Sequence, residues 1–271
     1  MNKLLTIVLI LAAMTAEAQT LKVMTYNIRF DNANDGVNRW SNRKDKLTGL
    51  IQKYDPDLIG LQEALLSQIQ DIITALPQYQ YVGVGRDDGK EKGEFSCILY
   101  RKDKFDLINT ETRWLSETPT VPGSKNWDAA ITRVVTQATL RDKKSKKEFI
   151  HFNTHFDHIG KEARLNSARI IREWIAKDAN KLPAIVTGDF NAEPTEPPYA
   201  EMLKDKVVKD TRPKDLSVGT FCNFGVNSQP CRLIDYIFCT KAWRVGKYQV
   251  IQDNDGANYP SDHLPVMVEL K

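Results

Sequence analysis

The sequence predicts an α/β fold, and three observations carry that prediction. Short apolar runs such as residues 183–188 end in Gly and then polar side chains, the pattern of a buried strand meeting a loop. Between such runs, residues 43–54, 64–76 and 162–177 place apolar side chains at helical spacing. No solenoid-period repeat, low-complexity tract or linker interrupts the 271 residues, so one large domain is the simplest organisation.

In chain order, Lys3 precedes an apolar run over residues 4–14, and Ala16-Glu17-Ala18 fits the small-x-small cleavage rule. We expect a signal peptide over residues 1–18 and an exported catalytic domain over 19–271, periplasmic or secreted. The competing reading is an apolar N-terminal helix that stays. No Cys lies near the cleavage point for a lipid anchor, and no later segment is long and apolar enough to span a bilayer.

Residues 21–28 alternate as a strand, with Asn27 near its end and Arg29 just beyond. A polar loop over 30–40 leads to the helix 43–54, whose apolar side holds Leu47, Leu50 and Ile51 and which Asp55-Pro56 stops. Residues 57–63 form a strand ending in Glu63, and 64–76 a helix halted by Pro77. Strands follow over 79–85, 95–101 and 105–115, with a hairpin loop at 87–94 and a Pro/Gly/Ser loop at 116–126. Residues 131–140 and 148–154 read as a hairpin across the basic turn 141–147, and 149–155 as a strand with polar residues at its end. That turn, with Lys143, Lys144, Lys146 and Lys147, is either a nucleic-acid contact or a solvated tip. After the helix 162–177 come a strand at 183–188, a short helix at 199–203, and strands at 233–238, 245–251 and the C-terminus.

Composition narrows the partners. A hydrophobic content of 41%, a charged content of 27% and a net charge of +3 are ordinary for a globular protein and permit a phosphate-bearing substrate. Cys97 and Cys239 lie in apolar strands and read as small buried hydrophobes. Cys222 and Cys231 flank an Asn/Gly/Ser loop, and export to an oxidising compartment predicts their pairing.

Asn27, Glu63, His155, Asp189, Asn191, Asp235, Asp262 and His263 lie within or beside apolar strand-like segments. Polar groups there are costly unless they are paired or bind a metal. Recurrence over six segments points to strand ends gathered at one site. Asp189 and Asn191, two apart on an extended backbone, would face one spot; the alternative is an Asx turn opening a loop. The oxygen-rich set Asn27, Glu63 and Asp262 suits a hard divalent cation, whereas two histidines without Cys argue against structural zinc. Other readings stay open. Asn27 reads also as a loop cap, His155 as a satisfied core histidine, and His151 as structural. Asp157 and His158 are either support for the site or merely exposed. Arg133, early in a strand, either binds phosphate or forms a surface ion pair.

Tyr26-Asn27-Ile28, Leu61-Gln62-Glu63, Asn153-Thr154-His155, Gly188-Asp189-Phe190-Asn191, Ile234-Asp235-Tyr236 and Ser261-Asp262-His263 occur in the order found in the endonuclease/exonuclease/phosphatase family. The chain resembles that DNase I-like family over residues 21–270. The resemblance implies a four-layer α-β-β-α sandwich with two facing mixed sheets, and Mg²⁺- or Mn²⁺-dependent hydrolysis of a phosphoester. It implies Glu63 as principal metal ligand with Asn27 and Asp262 nearby, and Asp189 orienting or deprotonating water. It also implies Asn191 on a phosphate oxygen, His263 oriented by Asp235 as base or charge stabiliser, and His155 near the leaving oxygen. Arg29 stands where AP endonucleases carry Asp and where DNase I-like members contact phosphate; the Pro-Ala-Trp-Cys-Asp-Arg signature of 5-phosphatases is absent.

The leading expectation is an exported, monomeric phosphoesterase acting on a small molecule or lipid headgroup rather than nucleic acid. A DNA or RNA nuclease of the same fold is the rival, and a non-catalytic binding module the third reading.

Overall fold

The computed structural model describes residues 20–179, 182–226 and 230–271. The expected signal peptide lies outside the described residues. Twelve strands among them form two six-stranded sheets, ordered β11-β12-β1-β2-β4-β3 and β5-β6-β7-β8-β10-β9. The first sheet holds β1 (Leu21–Asn27), β2 (Leu58–Gln62), β3 (Tyr79–Val82), β4 (Ile98–Arg101), β11 (Val245–Val250) and β12 (Val266–Leu270). The second holds β5 (Phe105–Trp114), β6 (Val134–Asp142), β7 (Glu148–His155), β8 (Ala184–Asp189), β9 (Lys209–Asp210) and β10 (Asp235–Cys239). Both are mixed: β1 runs parallel to β2 and β7 parallel to β8, with antiparallel neighbours elsewhere.

The four layers follow from the period-two alternation of the strands. In β1, Met24 and Tyr26 pack outward with Leu47, Leu50 and Ile51 of α1 (Trp40–Tyr54) and Ile69 and Ile72 of α2 (Leu66–Ala75). Val23 points the other way, into a core between the sheets with Leu58, Ile98, Leu140, Phe149, Ile185, Ile237 and Val266. Phe152, Val186, Tyr236 and Phe238 face outward from the second sheet. They pack with Ala168, Ile171 and Ile175 of α3 (Lys161–Ala179) and Met202 of α4 (Pro197–Leu203).

The inward face changes character along the strands. It is apolar at Val23, Ile185 and Ile237, then polar where Thr25, His151, Asn153 and Thr187 are fully buried. Asn153 spends its whole hydrogen-bonding capacity there. Its amide donates to the carbonyls of Leu61 and Cys97, both at 2.8 Å, and its Oδ1 accepts from Gln62 (2.7 Å) and Thr187 (2.9 Å). His151 bonds Thr187 Oγ1 at 2.8 Å and is structural, held neutral by burial. One step further along, the inward positions are Asn27, His155, Asp189 and Asp235.

Several boundaries differ from expectation. β2 stops at Gln62, leaving Glu63 outside in a left-handed conformation (φ 60°). β4 starts at Ile98 because Phe95 makes only an isolated bridge to Ala64. β10 starts at Asp235, after Leu233 and Ile234. β6 starts at Val134, so Arg133 precedes it rather than lying within it.

Candidate active site

Strand register alone assembles the centre of the site. His155 pairs in register with Asp189 across β7 and β8, and Asp235 pairs with Asp189 across β10 and β8. Three ionisable side chains thus stand in a row across three adjacent strands. Asn27 closes on them from the facing sheet, its Nδ2 donating to Asp189 Oδ2 at 3.0 Å and to Glu63 Oε1 at 3.1 Å. His263 Nδ1 lies 2.9 Å from Asp235 Oδ2, and its Nε2 lies 3.6 Å from Asp189 Oδ2. His155 Nε2 is 3.3 Å from the same Asp189 oxygen.

Asn191 is not extended. With φ 46° it opens a turn, and its backbone N–H donates to Asp189 Oδ1 at 2.9 Å. The Asx turn and the convergence are therefore both present: the turn brings the Asn191 amide to His155 Nε2 (3.1 Å) and the Phe156 carbonyl (3.0 Å). Arg29, Glu63 and Asn191, each just past a strand end, all have positive φ, a conformation non-glycine residues adopt rarely and mostly where function holds them.

Burial sets the electrostatics. Burial and the neighbouring Asp235 charge push the Asp189 carboxyl up to about 7. Burial works against a charged His263, yet Asp235 and Asp189 outweigh it and raise the imidazole to about 10. His155 goes the other way: burial first, then Arg133 and Arg86, hold it neutral. The two histidines thus differ in charge because only one has a dedicated carboxylate.

Two sets of side chains offer donors for a cation. Asp189, Asp235 and His263 bring one atom each within 4.8 Å of one another. A protonated His263 has no lone pair to give, so this set reads as a charge network. Glu63 and Asp262 form the better seat. Both are oxygen donors and both approach the Arg29 guanidinium, at 3.8 and 4.0 Å. Burial raises the Asp262 carboxyl, His263 opposes that shift, and Glu63 adds to it, a crowding of anions that a hard divalent cation relieves. Asn27 presents its amide nitrogen to Glu63, so in this geometry it buttresses the ligand set.

Glu63, His155, Asp189, Asn191, Asp262 and His263 line a cleft of about 720 Å³, which Asn27 and Asp235 do not border. Arg29 reaches it but is committed to a bidentate pair with Asp35, both contacts at 3.0 Å. Arg133 is 5% exposed, which rules out the surface ion pair. Its Nε and Nη1 have no hydrogen-bond partner among the described residues, and its nearest carboxylate is Asp157 at 4.0 Å. Asp157 is buried support: it accepts from the N–H groups of Ile131, Ile159 and Gly160. His158 lines the cleft 3.3 Å from Arg133 Nη2. Sequence reasoning missed Glu94, Phe221, Asn223, Phe224 and Arg232, which also line it. Asn223 and Phe224 lie within the loop closed by the expected Cys222–Cys231 disulfide, Phe221 and Arg232 bridge each other just outside it, and Cys97 and Cys239 are free and buried.

A sequence model of the Endonuclease/Exonuclease/phosphatase family matches residues 24–263. A solved structure of a family protein from Bacteroides thetaiotaomicron is 43% identical, with a TM-score of 0.88, over 93% of this chain and 97% of that one. The mannosyl-6-phosphatase of the same organism is 42% identical, with a TM-score of 0.87, over 93% of this chain and 99% of the other. Nocturnin of Drosophila melanogaster is 26% identical over 94% of this chain but 47% of its own length, so the chain spans about half of that relative.

Proposed function

The chain belongs to the endonuclease/exonuclease/phosphatase family of divalent-metal-dependent phosphoester hydrolases, and we propose that it is an exported, Mg²⁺- or Mn²⁺-dependent phosphatase acting on a compact phosphoester. The observation that carries the catalytic part is the row His155, Asp189, Asp235 with His263 at its edge, facing Glu63 and Asp262 across one cleft.

In this reading Glu63 and Asp262 hold the cation, with Asn27 fixing Glu63. The metal, when bound, neutralises phosphoryl charge and polarises the bond to be broken. Asp189 accepts the proton of the attacking water, its basicity raised by burial beside Asp235. His263, kept cationic by Asp235, stabilises charge on a non-bridging oxygen. Neutral His155, Asn191 and the charge of buried Arg133 orient the phosphoryl group, and Arg29 borders the same cleft.

The mannosyl-6-phosphatase relative supports a sugar phosphomonoester as the compact substrate. A relative named as a 3'-5'-exoribonuclease subunit, Ccr4 of Mycosarcoma maydis, favours a second reading, a nuclease on the same site. A parallel screen of mannose 6-phosphate, 4-nitrophenyl phosphate, bis-4-nitrophenyl phosphate, phospholipid, DNA and RNA with Mg²⁺ and with Mn²⁺ separates them. Turnover of the monoesters, abolished by excess EDTA, is expected; full activity in EDTA would sink the mechanism. Export is supported by the N-terminal sequence and the disulfide. Edman or mass-spectrometric analysis of the exported protein should find Gln19 at its N-terminus.

A further inference from the structure

We propose that Thr220 is a positioning residue that locks Asp235 beneath His263; the proposal rests on the role given above to that pair. Thr220 is fully buried and does not border the cleft. Its Oγ1 accepts from two consecutive backbone N–H groups, Ile234 at 3.2 Å and Asp235 at 3.1 Å. Its own hydroxyl hydrogen points to the Arg232 carbonyl at 3.4 Å. One hydroxyl therefore spends its full capacity on the chain entering β10.

The need for it follows from the sheet. β10 pairs with β9 only at Phe238 and Cys239, so no strand flanks Asp235 on that side. The Asp235 N–H would otherwise be a buried donor without an acceptor. Asp235 also has little else to hold its carboxylate: Oδ1 has no hydrogen-bond partner among the described residues, and Oδ2 is engaged by His263. Its place is set by its backbone.

The same residue reaches the other half of the pair. The Thr220 carbonyl accepts from the N–H of Leu264 at 2.6 Å, one residue past His263. Next to it, Phe221 bridges to both His263 and Arg232, and its ring lies 4.9 Å from the imidazole. Thr220 thus fastens the start of β10 to the segment carrying His263, fixing the 2.9 Å contact between acid and imidazole from outside the reaction site.

The test is Thr220→Val, which keeps the branched shape and deletes the acceptor, against Thr220→Ser, which keeps the hydroxyl. With 4-nitrophenyl phosphate and Mn²⁺, Thr220→Val should lower kcat about 10- to 100-fold, the range for groups that orient site residues, with KM within about twofold. Thr220→Ser should restore most of the rate. In an Asp235→Ala background Thr220→Val should cost little more, because both act through one contact. If Thr220→Val does not fold, as judged by circular dichroism, Thr220→Cys carries the same comparison, since sulfur is a weak acceptor. Wild-type kcat in Thr220→Val, alongside crippled Asp235→Ala and His263→Ala, would overturn this inference alone. Wild-type turnover in Asp235→Ala and His263→Ala would overturn the site assignment and this inference with it. Equal losses in the Val and Ser variants, or full additivity with Asp235→Ala, would also refute it.

Discussion

Asp189 Oδ2 is approached by three side chains: the Asn27 amide at 3.0 Å, His155 at 3.3 Å and His263 at 3.6 Å. Such a residue is hard to replace without losing rate. Asp189→Asn, which removes the base, and His263→Ala, which removes the charge stabiliser, should each lower kcat by about 10²-fold or more, with native circular dichroism. Retention of wild-type turnover by either variant removes that role. Glu63→Gln should weaken Mn²⁺ binding sharply in direct titration, because a charged oxygen ligand is lost. His151 makes a prediction about stability. Its pKa falls from 6.5 to about 3 by burial. The folded state then binds fewer protons than the unfolded one between those values. The contribution is complete above pH 6.5 and is lost as pH falls towards 3, at about 1.4 kcal/mol per pH unit. Urea unfolding of wild type and His151→Gln between pH 6.5 and 4.5 should diverge, with wild type losing more; parallel curves would show that His151 does not titrate this way. At this scale the sequence was informative where a polar residue interrupts an apolar strand, as at Asp235. It left Arg133 open between phosphate binding and a surface ion pair, because burial of an arginine that follows a loop leaves no periodic trace.

At the scale of elements, the strands were legible because inward and outward faces alternate, and the helices because their apolar stripes follow the helical repeat. Ends were less legible. Glu63 and Asn191 leave their strands with positive φ, which no side chain at those positions announces. The cleft wall from Phe221 to Phe224 was missed for a related reason: it has no strand or helix pattern and is held by hydrogen bonds to the Asp262 carbonyl and by the disulfide. The most demanding contact between elements is at Gly60 on β2. A Cβ there would fall 2.1 Å from Thr187 Oγ1 and 2.3 Å from Asn153 Oδ1, both on the facing sheet. Gly60→Ala must push the sheets apart or break the Asn153 network, at a cost of about 1–3 kcal/mol for overpacking. The urea midpoint should drop with an unchanged m-value. Because the same spacing sets Glu63 against Asp189, activity should fall even where the variant is folded. An unshifted midpoint would mean that the sheets close on each other less tightly than the structure has them.

At the scale of the whole molecule, the question is where the charge lies relative to the chemistry. The basic turn with Lys143, Lys144, Lys146 and Lys147 joins β6 to β7 at the Glu148 end, whereas His155 ends β7 at the cleft. Seven residue steps of strand separate Glu148 from His155, about 23 Å at the usual rise. A duplex gripped at the cleft needs several phosphates neutralised along a track leading into it. The arginines bordering the cleft are Arg29, Arg133 and Arg232, and Arg29 and Arg232 are already paired with Asp35 and Glu193. Glu94 and Asp35 line the same cleft but are themselves paired, with Arg86 and Arg29, so these pairs add no net positive charge for a polyanion. Replacing the four lysines of the turn by glutamate should therefore leave kcat/KM for 4-nitrophenyl phosphate within about twofold, since charges beyond a Debye length of about 8–10 Å are largely screened. A competition between mannose 6-phosphate, duplex DNA and single-stranded RNA should favour the sugar phosphate. A preference for either nucleic acid by more than about tenfold in kcat/KM, roughly 1.4 kcal/mol of transition-state discrimination, would reverse the choice of substrate. If that preference also collapsed in the glutamate variant, the turn itself would be the missing track, and the nucleic acid would have to run along the sandwich from the turn to the cleft.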